Sequence, residues 1–215
     1  MKTVEQPITP IWFPNFPLWQ TKLSDEILEP IKLEIDQIKL DFDNSISHNQ
    51  SLVGNLDHSY LLTDSNKRTE EIVSPLIREY IYSCNYALLD KTSIFELSLH
   101  SVWVNFQKRH EFNPPHTHSG DFSFIIWIDV PYHIEEEYAV APGSKSPNFI
   151  PGHVSFQFLN TLGCISTYSI PADKTFNNTM LIFPANLTHY VTPFYSTDSY
   201  RISVSGNIDI IQDVS

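Results

Sequence analysis

The chain has 215 residues, of which 41% are hydrophobic, 13% aromatic and only 18% charged, with a net charge of −12. That composition belongs to a globular chain rather than a disordered one, and the length suffices to bury a core without disulfide staples. The acidity excludes a nucleic-acid groove, which needs clustered Lys and Arg against phosphate.

Residues 1–20 read as an extended strap, because "TPIWFPNFPLW" alternates prolines with aromatics as an edge strand does. The opening stretch lacks the apolar core of a signal peptide, and no run reaches the roughly 20 apolar residues of a membrane helix. A soluble, cytoplasmic protein is expected. "LSDEILEPIKLEIDQIKLDFDNS" then predicts a helix capped by Ser24 or Asp25, with Ile27, Leu28, Ile31, Leu33, Ile35, Ile38 and Leu40 near helical spacing. Pro30 is expected in its first turn, where a missing N–H costs nothing. A polar loop should run to about residue 66. "SNKRTEEIVSPLIREYIYSCNYALLD" predicts a second helix, with Ile72, Leu76, Ile77, Tyr80, Ile81 and Tyr86 on one side and Pro75 delaying or bending its start. Cys84 and Cys164 form no CxxC pair and read as buried free thiols of a reducing compartment.

From residue 94 the character changes to short alternating runs of β-branched and aromatic residues. Strands are expected near 95–107, 122–130, 153–159, 164–170, 179–183, 189–194 and 200–210, broken by Pro, Gly, Asn or Asp. No helix-length apolar pattern follows about residue 92. Glu135-Glu136-Glu137 reads as a solvated loop, and the stretch 131–152 as either a lid or a surface connection. The expected plan is a single domain over 1–215, with strap and supporting helices in 1–92 and a mainly β core in 93–215. Strand spacing of this kind points to a sandwich or jelly roll.

Within the β half, "HTHSGDFSFIIWIDVPY" places His116 and His118 at the mouth of an apolar strand. Residues i and i+2 of an extended chain share a face, so both imidazoles could face one metal. "MLIFPANLTHYVTPF" offers His189 as a third donor. In "SYRISVSGNI", Arg201 and Ser203 share a face. Arg201 is either an outward side chain paired with an acidic loop or an inward clamp for a ligand carboxylate, since an unpaired buried guanidinium is costly.

Taken together, "WVNFQKRHEFNPPHTHSG", "FSFIIWIDVP", "LIFPANLTHYVTPF" and "YRISVSGNI" resemble the iron(II)- and 2-oxoglutarate-dependent oxygenases, more narrowly an uncharacterised prolyl-hydroxylase-like branch. "ITPIWFPNFP" resembles the opening of that branch, and the clear likeness covers about residues 101–210. The resemblance implies a double-stranded β-helix fold, Fe(II) with 2-oxoglutarate as cosubstrate, and hydroxylation of a small molecule or a protein side chain. It implies His116 as the first iron ligand and His189 as the distal one. Arg201 would pair with the 5-carboxylate of 2-oxoglutarate, with Ser203 assisting and Asn105 hydrogen-bonding the cosubstrate.

The chain departs from the usual His-x-Asp or His-x-Glu motif, which completes a two-histidine, one-carboxylate facial triad. His118 holds the third position. The alternative is Asp121, reached over the Ser119-Gly120 turn if a bulge at Gly120 turns it inward. Trp103, Phe124, Trp127, Phe183 and Tyr190 are candidates for the apolar wall, and His110, His133 and His153 read as ordinary surface or core residues. Two competing functions remain. A cupin-like three-histidine dioxygenase would have no use for Arg201-Ile202-Ser203, and a non-catalytic jelly-roll binding module would have no use for the inward histidines.

Overall fold

The computed structural model describes residues 18–51, 53–84, 89, 92–146 and 149–211. The expected strap therefore falls mostly outside the described residues, as does Tyr86. Strand β1 (Trp19–Lys22) leads into helix α1 (Asp25–Leu40). Ser24 caps α1 by accepting from the Ile27 amide at 3.3 Å, and Asp25 and Glu26 place negative charge at the positive end of the helix dipole. Pro30 lies in the second turn of α1, not the first. The helix runs through it because Leu28, Ile31, Ile35 and Ile38, all buried, lock the surrounding turns to the core.

The segment expected to be a polar loop carries a 3-10 turn (Asn49–Ser51) and a short strand, β2 (Ser59–Leu61). Helix α2 spans Asn66–Cys84, with Pro75 in its interior. Val73, Ile77, Tyr80 and Ile81 form its buried face, while Ile72 and Leu76 pack at the margin. Its start is fixed from outside. The buried carboxylate of Glu34 on α1 accepts from the backbone amides of Thr63, Asp64 and Ser65 at 2.7, 3.0 and 2.7 Å, so one helix orders the entry to the other.

The β half is a jelly roll of two antiparallel sheets. Its strands are β3 (Glu96–Gln107), β4 (Asn113–His116), β5 (Phe122–Asp129), β6 (His153–Leu159), β7 (Ile165–Pro171), β8 (Thr179–Pro184), β9 (Thr188–Val191) and β10 (Arg201–Ile211). The larger sheet has the order β1-β8-β5-β10-β3-β2 and the smaller one β4-β9-β6-β7. The stretch 131–152, expected to lack helix, contains α3 (Ile134–Val140). Nor is its acidic run a solvated loop. Glu136 accepts from the His133 amide at 2.9 Å, and the wholly buried Glu137 accepts from the Tyr195 and Ser196 amides and from the Ser196 hydroxyl. Both cysteines are free, but Cys164 is exposed rather than buried, at the turn between β6 and β7.

Period-two alternation sorts the large sheet into two faces. Val102, Val104 and Phe106 of β3, Phe122, Phe124 and Ile126 of β5, and Ile202, Val204 and Ile208 of β10 join the helices in one core. Trp127, Leu181 and Phe183 face the other way and pack with Val154, Phe156 and Ile170 of the small sheet. The same inward face carries Trp103, Asn105 and Gln107 on β3 and Arg201 and Ser203 on β10. Polar side chains between two sheets are costly unless something pairs with them.

Candidate active site

The inter-sheet cleft closes around three histidines. His116 ends β4 and stands opposite His189 in the β4–β9 ladder, while His118 lies just beyond the strand. The ring centroids are 4.3 Å apart for His116 and His189, 4.9 Å for His116 and His118, and 5.0 Å for His118 and His189. One ring nitrogen from each falls within 4.8 Å of the others.

Backbone carbonyls set the tautomers. Nδ1 of His116 lies 2.8 Å from the Pro114 carbonyl, and Nδ1 of His189 lies 2.9 Å from the Leu187 carbonyl. A carbonyl only accepts, so each Nδ1 carries the proton and each Nε2 keeps its lone pair. Burial, reinforced by the neighbouring imidazoles, pushes His118 down to about 4 and His189 down to about 3. Near neutral pH these two rings are uncharged donors. A set of three converging imidazoles fits a divalent metal such as iron.

Asp121 faces elsewhere. Gly120 takes a left-handed φ of 93° that turns the chain into β5, and the Asp121 carboxylate accepts from the Ile210 amide at 2.7 Å. The structure thus brings His116, His118 and His189 together and leaves Asp121 bonded to the end of β10.

At the inner end of the cleft lies Arg201, only 3% exposed. Its Nε and Nη2 donate to Gln107 Oε1 at 3.2 and 2.6 Å, Nη2 also donates to the Thr192 carbonyl at 3.2 Å, and Nη1 donates to the Tyr132 hydroxyl at 2.7 Å. Every partner is neutral, and among the described residues no carboxylate forms an ion pair with Arg201. Asn105 and Ser203 stand opposite each other across the β3–β10 ladder beside it, and the buried Asn105 Oδ1 has no hydrogen-bond partner. A buried cation that no carboxylate among the described residues pairs fits an anionic ligand such as a keto acid, and the orphaned Asn105 oxygen beside it calls for a hydrogen-bond donor.

Trp103, Trp127 and Phe183 line the cleft as its apolar wall, whereas the Phe124 side chain packs in the core on the helix side of the sheet, and Tyr190, one residue from the inward His189, lies outside the lining. His110 and His133 stay outside it. His153 is buried with its Nδ1 on the Pro151 carbonyl and its Nε2 3.4 Å from the Tyr138 hydroxyl. Three residues that bind Arg201 escaped the sequence reading: Gln107, Tyr132 and Thr192. Gln107 shares the face of Asn105 two residues earlier, so the alternation of β3 carried a signal for it. Nothing local marks Tyr132 or Thr192.

Residues 101–207, which run from β3 into β10, match the model of a family described as "Putative 2OG-Fe(II) oxygenase". A sequence comparison with curated proteins finds no match. Among solved structures, the chain is similar in fold to a prolyl-4-hydroxylase of Pseudomonas putida (TM-score 0.53, 10% identity, covering 91% of this chain and 92% of that one). It is also similar to a prolyl hydroxylase of Trichoplax adhaerens, solved with a hypoxia-inducible-factor peptide fragment (TM-score 0.53, 9% identity, 91% and 84%). A third similar structure is AviO1 of Streptomyces viridochromogenes (TM-score 0.50, 11% identity, 94% and 93%). Among the described residues no helix is long and apolar enough to cross a membrane. With its family match falling on the very strands that build the cleft, the chain belongs to the 2OG-Fe(II) oxygenases and is an oxidoreductase of that type.

Proposed function

We propose that this chain is an Fe(II)- and 2-oxoglutarate-dependent dioxygenase that hydroxylates a small molecule or a protein side chain. Residues 1–92 and the β core would act as one domain. His116, His118 and His189 would hold the metal through Nε2, with His118 rather than Asp121 as the third ligand. Arg201 would bind the 5-carboxylate of 2-oxoglutarate, with Ser203 and Asn105 hydrogen-bonding the cosubstrate. Iron and the keto acid, when bound, supply the oxidation of a C–H bond by dioxygen.

The residues of the chain bind, orient and shield. The carbonyls of Pro114 and Leu187 fix two imidazole tautomers before any metal arrives. Gln107 and Tyr132 hold the Arg201 fork in one plane, ready for a charge-assisted pair. Trp127, Phe183 and Val154 keep water from the space between.

The observation that carries this reading is the buried Arg201 guanidinium, which no carboxylate among the described residues pairs, in the same cleft as the triad. A three-histidine dioxygenase without 2-oxoglutarate would have no need of it. The test is an anaerobic titration of the Fe(II)-loaded chain with 2-oxoglutarate, followed by visible absorption. A charge-transfer band that appears in the wild type and is lost in Arg201→Ala is the expected result. Bound iron without a band would favour the enzyme that uses no keto acid, and failure to bind iron would favour a non-catalytic module.

A further inference from the structure

A second pocket, of about 340 Å³, opens on the outer side of the triad. It shares Trp103, Asn113, His116 and His118 with the inner cleft, so the histidines form the partition between the two. Its remaining wall carries hydroxyls and amides from Ser101, Thr117, Ser119 and Asn207, the Val53 side chain and the Gly54 backbone, together with His48, which stacks on Trp103 at 4.9 Å. Among the described residues, no Asp, Glu, Lys or Arg lines it. The nearby acids are engaged elsewhere: Asp209 with His100 at 2.6 Å, and Asp121 with the Ile210 amide.

Asn113 is the residue in this wall that asks for a ligand. Its Oδ1 is buried and has no hydrogen-bond partner. The chain passes close over it at Gly54, where a Cβ would lie 1.9 Å from that oxygen. The neighbouring backbone is clamped in place by the Asn55 amide, which donates to the Phe112 carbonyl at 2.9 Å. An amide oxygen shut away from water and left unpaired costs stability unless a donor reaches it.

Resting on the oxygenase reading above, we propose that the outer pocket selects an uncharged substrate that offers an O–H or N–H to Asn113 Oδ1 beside the carbon presented to the triad. An anion or cation entering it would shed its water against a wall with no counter-charge. A neutral molecule lacking the donor would leave Asn113 as it now stands, and sites built around a hydrogen bond reject such analogues strongly. The donor could be a sugar hydroxyl or a peptide amide, and the same chemistry receives both.

The test is saturation-transfer NMR on the full chain loaded with Zn(II) and 2-oxoglutarate. The probes are methyl glucoside and N-acetylalanine amide, each against its carboxylate counterpart, methyl glucuronide and N-acetylalanine. We expect one neutral probe to bind, which identifies the source, and its carboxylate to bind at least about tenfold more weakly. Asn113→Ala and Gly54→Val should each weaken the neutral probe about tenfold. Equal binding of the carboxylates, unchanged binding in both variants, or no binding of either neutral probe would overturn the proposal. The visible band of the Fe(II)-loaded protein with 2-oxoglutarate reports separately. It should persist in Asn113→Ala, and its absence from the wild type would count against the iron site and not against the pocket's preference.

Discussion

Arg201 and Gln107 stand opposite each other across the β10–β3 ladder, and a single amide oxygen of Gln107 accepts from two nitrogens of the guanidinium. The pairing orients the charge without cancelling it. A glutamate at the same position would do both. Gln107→Glu is therefore expected to fill the anion site from within. It should weaken 2-oxoglutarate by at least about tenfold, roughly 1.4 kcal/mol, while leaving metal affinity unchanged. Isothermal titration of metal and of 2-oxoglutarate separates the two effects. Loss of both together would place Gln107 in the scaffold of the whole cleft.

The choice between His118 and Asp121 can be made in the same way. His118→Ala and His189→Ala should each abolish tight metal binding, because two imidazoles alone make a weak site. Asp121→Asn should keep the metal. Its measurable cost should be stability, about 1–2 kcal/mol, from weakening the charge-assisted bond to the Ile210 amide. Denaturant unfolding checks the second expectation. Metal loss in Asp121→Asn with retention in His118→Ala would reverse the assignment.

Much of this arrangement follows from local patterns. The period-two alternation of "VWVNFQ" and "RISVS" already separates a core face from a cleft face, and the His-x-His spacing places two imidazoles near each other. What escaped is what depends on other parts of the chain. Pro30 and Pro75 sit inside helices because burial on both sides outweighs a missing hydrogen bond. Strand β2 is too short to show alternation and exists because β3 offers it an edge. The helix α3 has no apolar stripe of its own. Its buried residue is Glu137, whose partners lie some sixty positions away at Tyr195 and Ser196. The turn of Asp121 away from the triad depends on the register of β10, which no local motif encodes.

The depressed histidines make stability depend on pH in a defined direction. His118 falls to about 4 and His189 to about 3, against an ordinary 6.5 that the unfolded chain retains. Between those values the unfolded state binds protons that the folded state refuses. The metal-free protein should therefore be unaffected by these groups above about pH 6.5. It should lose stability as the pH falls below that, by up to about 1.4 kcal/mol per pH unit for each histidine. Thermal unfolding of the metal-free chain from pH 7.5 to 4.5 reads this slope. In His189→Phe the slope should shrink by the His189 share, the remainder coming from His118 and from His48 and His153, which burial also pushes down. A flat profile in the wild type would mean that the imidazoles open to water before they titrate.

Glu137 joins the scaffold to the cosubstrate end of the cleft. It projects from α3 and receives two backbone amides and a hydroxyl from Tyr195 and Ser196, in the connection that leads from β9 to Arg201. Thr192, in the same connection, lends its carbonyl to the guanidinium. Removing the carboxylate leaves two half-buried amides without their acceptor, so Glu137→Ala should cost about 1–3 kcal/mol of stability. If the connection also positions the Thr192 carbonyl, 2-oxoglutarate should bind several-fold more weakly, with the triad's metal affinity kept. Glu137→Gln still offers one acceptor oxygen and should recover part of both losses. A variant that loses stability but binds 2-oxoglutarate as before would confine Glu137 to holding α3 against the barrel.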